Sequence, residues 1–312
     1  MEVPFGKRDL HAKNECVRIV MEHKSGFVNI IGKPNVGKST LMNAMVGEKL
    51  SIITSRAQTT RHRIQGILNA PDYQVIFSDT PGILDPVYKL QESMLKAARS
   101  ALVDADVLIY LTEIGEHPDP EDPFIRKVAK ARVPVLVVIN KIDLSDQEQV
   151  KRCMDEWDAI LPRAEKIPIS ALQKFNVDSV FNRILDHLPV SPPFYPEDAL
   201  TDKSERFFVG EMIREKILLH YRQEIPYAVE VEVESFREDK KLIKISALIY
   251  VERESQKGIL IGNEGRALKR VGRDSRLDME AFFQKKVFLE LRVKVKKDWR
   301  NNERFIKDFG YH

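Results

Sequence analysis

Residues 30–45 read IIGKPNVGKSTLMNAM, and this stretch decides the architecture of the first half of the chain. Two apolar residues run into Gly32, then a polar loop, then Gly37-Lys38-Ser39-Thr40 at the head of a helix-like tail. Gly32–Ser39 has the spacing G-x-x-x-x-G-K-[ST], in the strand–loop–helix context that this motif requires. Glycines let the backbone curl so that its N–H groups point inward at phosphate oxygens. The helix N-terminus adds its partial positive charge. Phosphates are therefore expected along Gly32, Lys33, Pro34, Asn35, Val36, Gly37, Lys38, Ser39 and Thr40. Lys38 suits the β- and γ-phosphates and the Ser39 hydroxyl suits magnesium. The plain alternative is a glycine-rich strand–helix turn without a ligand.

Outward from this loop, residues 26–188 alternate Val- and Ile-rich runs with helix-like stretches. FVNIIG, YQVIFSD, DVLIYLTE, PVLVVINK and EKIPIS read as strands, and Lys89–Ala105 has apolar positions at helical spacing. Near-continuous apolar strands alternating with helices indicate a mostly parallel sheet with helices on both faces, an α/β domain. Four prolines between Pro189 and Pro196 then break the pattern. Residues 189–205 are read as a linker. Beyond it, a helix from Arg206 to Arg222, two alternating strands, a glycine-broken helical stretch and a third strand give the order α-β-β-α-α-β. This is a smaller α+β domain over 206–312. Residues 1–25 are read as a leader.

Three further segments fall at strand ends. In FSDTPG, Asp79 can hold magnesium through water and Gly82 can give its N–H to a γ-phosphate. In VVINKID, Asp143 is placed to accept from guanine N1 and N2, with Asn140 and Lys141 bracing the pocket; adenine lacks those donors. In ISAL, spanning Ser170, Ala171 and Leu172, the Ala171 backbone suits guanine O6. Asp143 alone could be a helix N-cap; it is the ordered set that carries meaning. The polar stretch Ser55–Gly66 carries Thr59 and Thr60. A switch loop needs one hydroxyl for the metal, and Thr60 is favoured over Thr59, so Ser39, Thr60 and Asp79 form the expected magnesium set.

The second domain holds Gly262-Asn263-Glu264-Gly265 between helical segments. A GxxG loop admits a nucleic-acid backbone because neither glycine has a side chain in the way, and KH modules clamp about four nucleotides there. Ile259 and Ile261 before the loop suit base contact. Arg266, Lys269, Arg270 and Arg273 after it suit phosphates. Glu264 repels phosphate unless it faces away. Lys294, Lys296, Lys297 and Arg300 are expected to extend the phosphate-facing surface. From Lys257 onward, 15 Lys and Arg stand against 8 Asp and Glu, a basic end that suits nucleic acid.

The 312 residues are 43% hydrophobic and 31% charged, with two cysteines, Cys16 and Cys153. This is the composition of a soluble globular protein rather than a disordered one. Two lone cysteines read as free thiols of a reducing compartment. There is no secretory h-region and no apolar run of membrane-spanning length, so a cytoplasmic location is expected.

The wording GKPNVGKSTLMNAMVG, QTTRHRIQG, DTPG and RLDMEAFFQKKVFLELRVKVKKDWR resembles the Era-type family of bacterial, translation-factor-related GTPases across nearly the whole chain. The resemblance implies an α/β P-loop GTPase domain followed by a type II KH domain, with GTP or GDP and Mg2+ as ligands. It further implies the 3′ end of 16S ribosomal RNA and the 30S subunit as partners, a monomer, and peripheral membrane association at most. The chain departs from the Ras pattern at Ile83, where Ras-like proteins carry the water-orienting glutamine. Asn35 occupies the place where related GTPases help bind a potassium ion beside the phosphates; as a good turn residue it has a plainer reading too.

Overall fold

The computed structural model describes residues 22–311. Cys16 and most of the expected leader lie outside the described residues.

In the first domain the apolar runs become strands β1 (Lys24–Ile31), β3 (Tyr73–Asp79), β4 (Val107–Glu113), β5 (Val135–Asn140) and β6 (Glu165–Pro168). They pair in parallel, while β2 (Ile64–Asn69) runs antiparallel to β3 at the edge, giving the order β2-β3-β1-β4-β5-β6. Every residue of β4 up to Thr112 is buried, because α1 (Lys38–Val46) and α5 (Val177–His187) cover one face. The other face is covered by α3 (Pro123–Ala129) and α4 (Gln147–Ile160). Helix α2 (Lys89–Ser100) is shorter than its periodicity suggests. The chain turns out of it at Ala101 because Asp104 and Asp106 are committed to β1: Asp104 accepts from Asn29 Nδ2 at 2.7 Å and Asp106 from the Phe27 N–H at 2.8 Å.

Parallel strands present their C-terminal ends on one side. The loops after β1, β3, β5 and β6, which carry the four motifs, therefore meet along one edge of the sheet.

Two boundaries differ from the sequence reading. β1 begins at Lys24, so the last residues of the expected leader are part of the sheet, with Lys24 bridging to Val190. The proline-rich segment is a strap tied across the first domain. Ser25 N–H donates to Pro189 O at 3.1 Å, and the Gln74 side chain accepts from Phe194 and Tyr195 N–H at 2.7 and 2.9 Å. Ile67 N–H donates to Leu200 O at 2.9 Å. Proline density rules out helix, but an extended chain along a sheet edge keeps its hydrogen bonds.

The second domain follows the expected order: α6 (Glu205–His220), β7 (Glu230–Glu238), β8 (Leu242–Val251), α7 (Glu254–Ile261), α8 (Arg266–Phe283) and β9 (Lys286–Val295). Strands β7 and β8 are antiparallel, and β8 and β9 are parallel. Ile213 and Ile217 of α6, Val271 and Met279 of α8 and the inner residues of β8 make its core. A short tail, with Trp299 and α9 (Glu303–Asp308), packs against Leu90 and Met94 of α2 and joins the domains. Trp299 is fully buried and donates to Ala228 O at 3.0 Å.

Lys296 and Arg300 belong to this joint, which corrects their expected place on the phosphate-facing surface. The Lys296 ammonium lies 3.9 Å from the Phe305 ring centre and 4.6 Å from that of Phe309. Arg300 pairs with Glu252 and covers the Tyr88 ring at 4.7 Å. A cation over aromatic faces is attracted by the ring quadrupole, a net gain of about 0.5–2 kcal/mol. Lys294 and Lys297 remain exposed.

Candidate functional site

A cleft of about 370 Å³ opens at the C-terminal edge of the large sheet. It brings together Asn35, Lys38, Ser39 and Thr40 from the glycine loop, Thr59 and Thr60, Gly82, and Asn140, Lys141, Asp143 and Leu172. Gly32, Val36, Asp79, Ser170 and Ala171 are buried beneath this lining. Lys33 turns outward to pair with Glu116 at 3.0 Å.

The loop geometry follows from close approach. Gly37 has φ 102°, and a Cβ there would lie 2.3 Å from Asn140 Nδ2; only glycine serves. Asn35 sits at φ 67°, a left-handed position that asparagine tolerates. Lys38 curls back, its ammonium donating to Gly32 O at 3.1 Å and Lys33 O at 2.7 Å. Burial pulls that ammonium down to about 8, against the opposing pull of Asp79 and Glu116. Ile83 N–H donates to Gly32 O at 3.1 Å, so the segment after Asp79 lies directly against the loop.

Ser39, Thr60 and Asp79 converge. Ser39 Oγ donates to Asp79 Oδ2 at 2.6 Å, Thr60 Oγ1 to the same oxygen at 3.1 Å, and the two hydroxyls are 2.9 Å apart. Thr59 points elsewhere, donating to Arg56 O at 2.6 Å. Asp79 is fully buried and its Oδ1 has no partner. Burial pushes its carboxyl above the usual range, while the hydroxyls and Lys38 pull it down. Three side chains offering four hard oxygens, Asp79 Oδ1 among them unpartnered, and no nitrogen or sulfur, fit magnesium, which keeps open positions for phosphate and water. Among the described residues no group of three His, Cys, Asp or Glu could hold a metal on its own.

At the other end, Asn140 joins two loops. Its Nδ2 donates to Val36 O at 2.8 Å, and its Oδ1 accepts from Ala171 N–H at 2.9 Å. The amide expected at guanine O6 is thus already held by Asn140, and a base must share it. Lys141, at φ 63°, pairs with Glu113. Leu144 and Leu172 flank the cleft at 75% and 74% exposure, two apolar side chains held in water beside Asp143. Leu144 had no motif to mark it, though an apolar residue straight after NKID was a signal. Ile52, Ile53 and Arg56 also line the cleft from the loop after α1; nothing in their own pattern singles them out.

In the second domain α7 ends at Ile261 and α8 begins at Arg266. Gly262 has φ 69°, and a Cβ there would lie 2.6 Å from Ala267 Cβ. Glu264 is exposed on the loop and accepts from Arg266 Nη2 at 2.6 Å, so its charge is partly cancelled there. Ile259 is 53% exposed and Ile261 is half-buried. Asn263, Arg266, Lys269 and Arg270 line the loop and the start of α8, and none of them is buried. Arg273 is drawn to Asp274 at 2.9 Å.

Residues 27–141 match the family described as 50S ribosome-binding GTPase, and residues 224–300 match the KH domain. The chain is 47% identical over 292 residues to GTPase Era of Syntrophus aciditrophicus (strain SB), covering 93% of this chain and 95% of that protein. Among solved structures it is similar to Era in complex with MgGDPNP and nucleotides 1506–1542 of 16S ribosomal RNA. That match has 39% identity and a TM-score of 0.88, covering 93% of this chain and 99% of the other. It is equally similar to a single-substitution variant of Aquifex aeolicus Era bound to GDP and AlF4−, with 39% identity, a TM-score of 0.88, and 92% and 99% covered. By motifs, fold and a relative 47% identical over 93% of its length, the chain belongs to the Era family of GTPases.

Proposed function

We propose that the chain is a GTP-hydrolysing switch that binds the 3′ region of 16S ribosomal RNA and serves assembly of the 30S ribosomal subunit. One observation carries this. A single chain joins the nucleotide cleft to an open GxxG loop, and it matches over 93% of its length a relative solved with both kinds of ligand.

Residues 32–40 and Gly82 cradle the phosphates. Lys38, now bonded to the loop's own carbonyls, exchanges them for phosphate oxygens, whose negative charge favours its ammonium form against the pull of burial. Ser39, Thr60 and Asp79 hold magnesium, the last through water on its free oxygen. Magnesium held by these residues would supply positive charge against the charge that develops on the phosphates. Asp143 accepts from guanine N1 and N2, Leu144 and Leu172 close over the faces of the base, and Asn140, Lys141, Ser170 and Ala171 frame it. Ile83 has no group to orient water, so hydrolysis rests on positioning and charge. Asn35, facing the cleft, is the candidate for a potassium ion beside the phosphates.

The GxxG loop of Gly262, Asn263, Glu264 and Gly265 admits the RNA backbone. Ile259 and Ile261 meet bases, and Arg266, Lys269 and Arg270 meet phosphates. This work belongs to the cytoplasm. No helix of the described residues is long and apolar enough to cross a membrane, and contact with the membrane is read as peripheral, by a monomer.

The test is to crosslink the purified chain to total cellular RNA, with a GTP analogue and with GDP, and to sequence the bound RNA. Enrichment of the 16S 3′ end that differs between nucleotides is expected. Diffuse or absent RNA leaves the GTPase standing and removes the RNA reading.

A further inference from the structure

The loop that carries Thr60 is gripped by the second domain on both sides of that residue. Arg61 follows Thr60, and its guanidinium leaves the first domain altogether. Nη1 donates to Val229 O at 2.7 Å and Glu230 Oε2 at 3.2 Å, and Nη2 to Pro226 O at 3.2 Å and Tyr227 O at 3.3 Å. From the opposite direction comes Arg214 of α6. Its Nη1 donates to Gln58 O at 3.2 Å and its Nη2 to Thr59 O. Glu211 holds Arg214 by its Nε at 2.7 Å. Both arginine side chains are at most 1% exposed. Tyr311 completes the grip, its hydroxyl donating to Glu230 at 2.8 Å and its ring stacking on His62 at 4.1 Å.

An arginine that merely glued two domains would serve on any surface of the first. These two bond the carbonyls of the two residues before Thr60 and supply the side chain of the residue after it. Thr60 is thereby fixed from both flanks by groups of the RNA-binding domain, while its hydroxyl lies with Ser39 and Asp79. Among the described residues, Arg61 Nε alone is left without a partner among the nitrogens of this pair of grips, and a buried arginine held by its two Nη groups does not yield easily, because breaking one partner strands a charge away from water.

We propose that Arg61 and Arg214 are positioning residues for GTP hydrolysis: the second domain holds Thr60 at the magnesium site, so RNA on that domain and the γ-phosphate in the cleft are coupled through one peptide segment. The inference rests on the reading of the cleft as a GTP site. Reciprocity follows from linkage. Whatever RNA binding does to the grip changes the affinity for GTP, and GTP changes the affinity for RNA by the same factor. GDP, which lacks the γ-phosphate that needs Thr60, is nearly indifferent to it.

The test uses the full chain. Glu211→Leu with Arg214→Met removes both charges together, so no buried ion is stranded. GDP affinity should stay within about twofold. Affinity for a non-hydrolysable GTP analogue with magnesium, and kcat, should each fall about tenfold, within the usual range of coupling between sites. The ratio of RNA affinities in the two nucleotide states should shrink by a similar factor. Arg214→Lys, which keeps the charge on a single donor nitrogen, should recover part of the loss. A lower melting temperature with an unchanged GTP-to-GDP affinity ratio would make the arginines structural only and overturn the proposal. Hydrogen exchange on the unmutated chain gives an independent reading. On replacing GDP by the GTP analogue, amides of residues 59–62 and of 227–230 should gain protection together; protection confined to 59–62 overturns the coupling. If the unmutated chain binds neither nucleotide, the reading of the cleft falls and this inference with it.

Discussion

Asn140 Nδ2 donates to the Val36 carbonyl at 2.8 Å across 104 residues of sequence, and the missing side chain of Gly37 is what leaves room for it. One buried amide therefore ties the glycine loop to the loop after β6, since its oxygen also takes the Ala171 N–H. Replacing it with alanine leaves a carbonyl and an N–H unpaired in a site closed to water. Each costs about 1–3 kcal/mol, so Asn140→Ala should lose about 3 kcal/mol in urea unfolding and bind GTP and GDP equally poorly. Unchanged stability would mean that water replaces the amide and that the tie is dispensable.

The proposed base selection rests on Asp143. Converting it to asparagine replaces one acceptor by a donor, which opposes guanine N1–H and suits the carbonyl of xanthine. For Asp143→Asn we expect guanine nucleotides to weaken by about 100-fold, the worth of one charged hydrogen bond, with xanthosine nucleotides gaining. Competition binding with the two nucleotide series checks this. A preserved guanine preference would move the base pocket away from this residue.

The motifs at strand ends were legible because each is local: a spacing of a few residues sets both its chemistry and its backbone, and a parallel sheet then gathers them. β2 was not, since Ile64–Asn69 follows a polar run and alternates too briefly to separate from the loop that Ser55–Gly66 suggested. Neither was the fate of the basic residues. Lys294 and Lys297 stay in water while Lys296 and Arg300 turn to aromatic rings and Glu252. Charge is read from sequence without direction, and direction here depends on a tail folding back on α2. Arg61 reads as a loop cation and is wholly buried for the same reason: its partners lie 165 or more residues away.

Asn35 has two readings that ions separate. Its left-handed φ of 67° is accounted for by turn geometry, and its place in the cleft suits a monovalent cation. Single-turnover hydrolysis in potassium should exceed that in sodium by about tenfold, and Asn35→Gly, which keeps the turn, should abolish the difference. Equal rates in both salts would leave Asn35 as a turn residue alone.

Cys153 lies on the buried side of α4, where burial first, and then Glu156 and Glu116, push its thiol up to about 11. A raised thiol pKa means the fold favours the neutral form. That contribution to stability is present below about 9 and disappears as pH rises toward 11. In a Cys16→Ser background, reaction with an aromatic disulfide at pH 8 should run about 100-fold slower than free cysteine, following the thiolate fraction. It should accelerate only when urea unfolds the chain. Rapid labelling of the folded protein would show that α4 opens locally.

The RNA reading concentrates on two glycines with separable constraints. At Gly262 a side chain meets Ala267 at 2.6 Å and the backbone is left-handed; at Gly265 the space is open and only φ, at 73°, resists. Gly262→Asp with Gly265→Asp places two carboxylates where an RNA backbone must pass, and should lower RNA affinity by at least about 100-fold while GTP affinity and basal turnover hold, because the cleft lies in the other domain. Gly265→Ala separates charge from strain. It adds a methyl group in open space at a backbone cost of about 1 kcal/mol, so it should weaken RNA binding by less than about tenfold. Filter binding with a single-stranded 16S 3′ fragment, alongside nucleotide titration, reads both effects. RNA affinity that survives the double aspartate would take the clamp away from this loop and return the basic face of α8 to the role of a solvated helix.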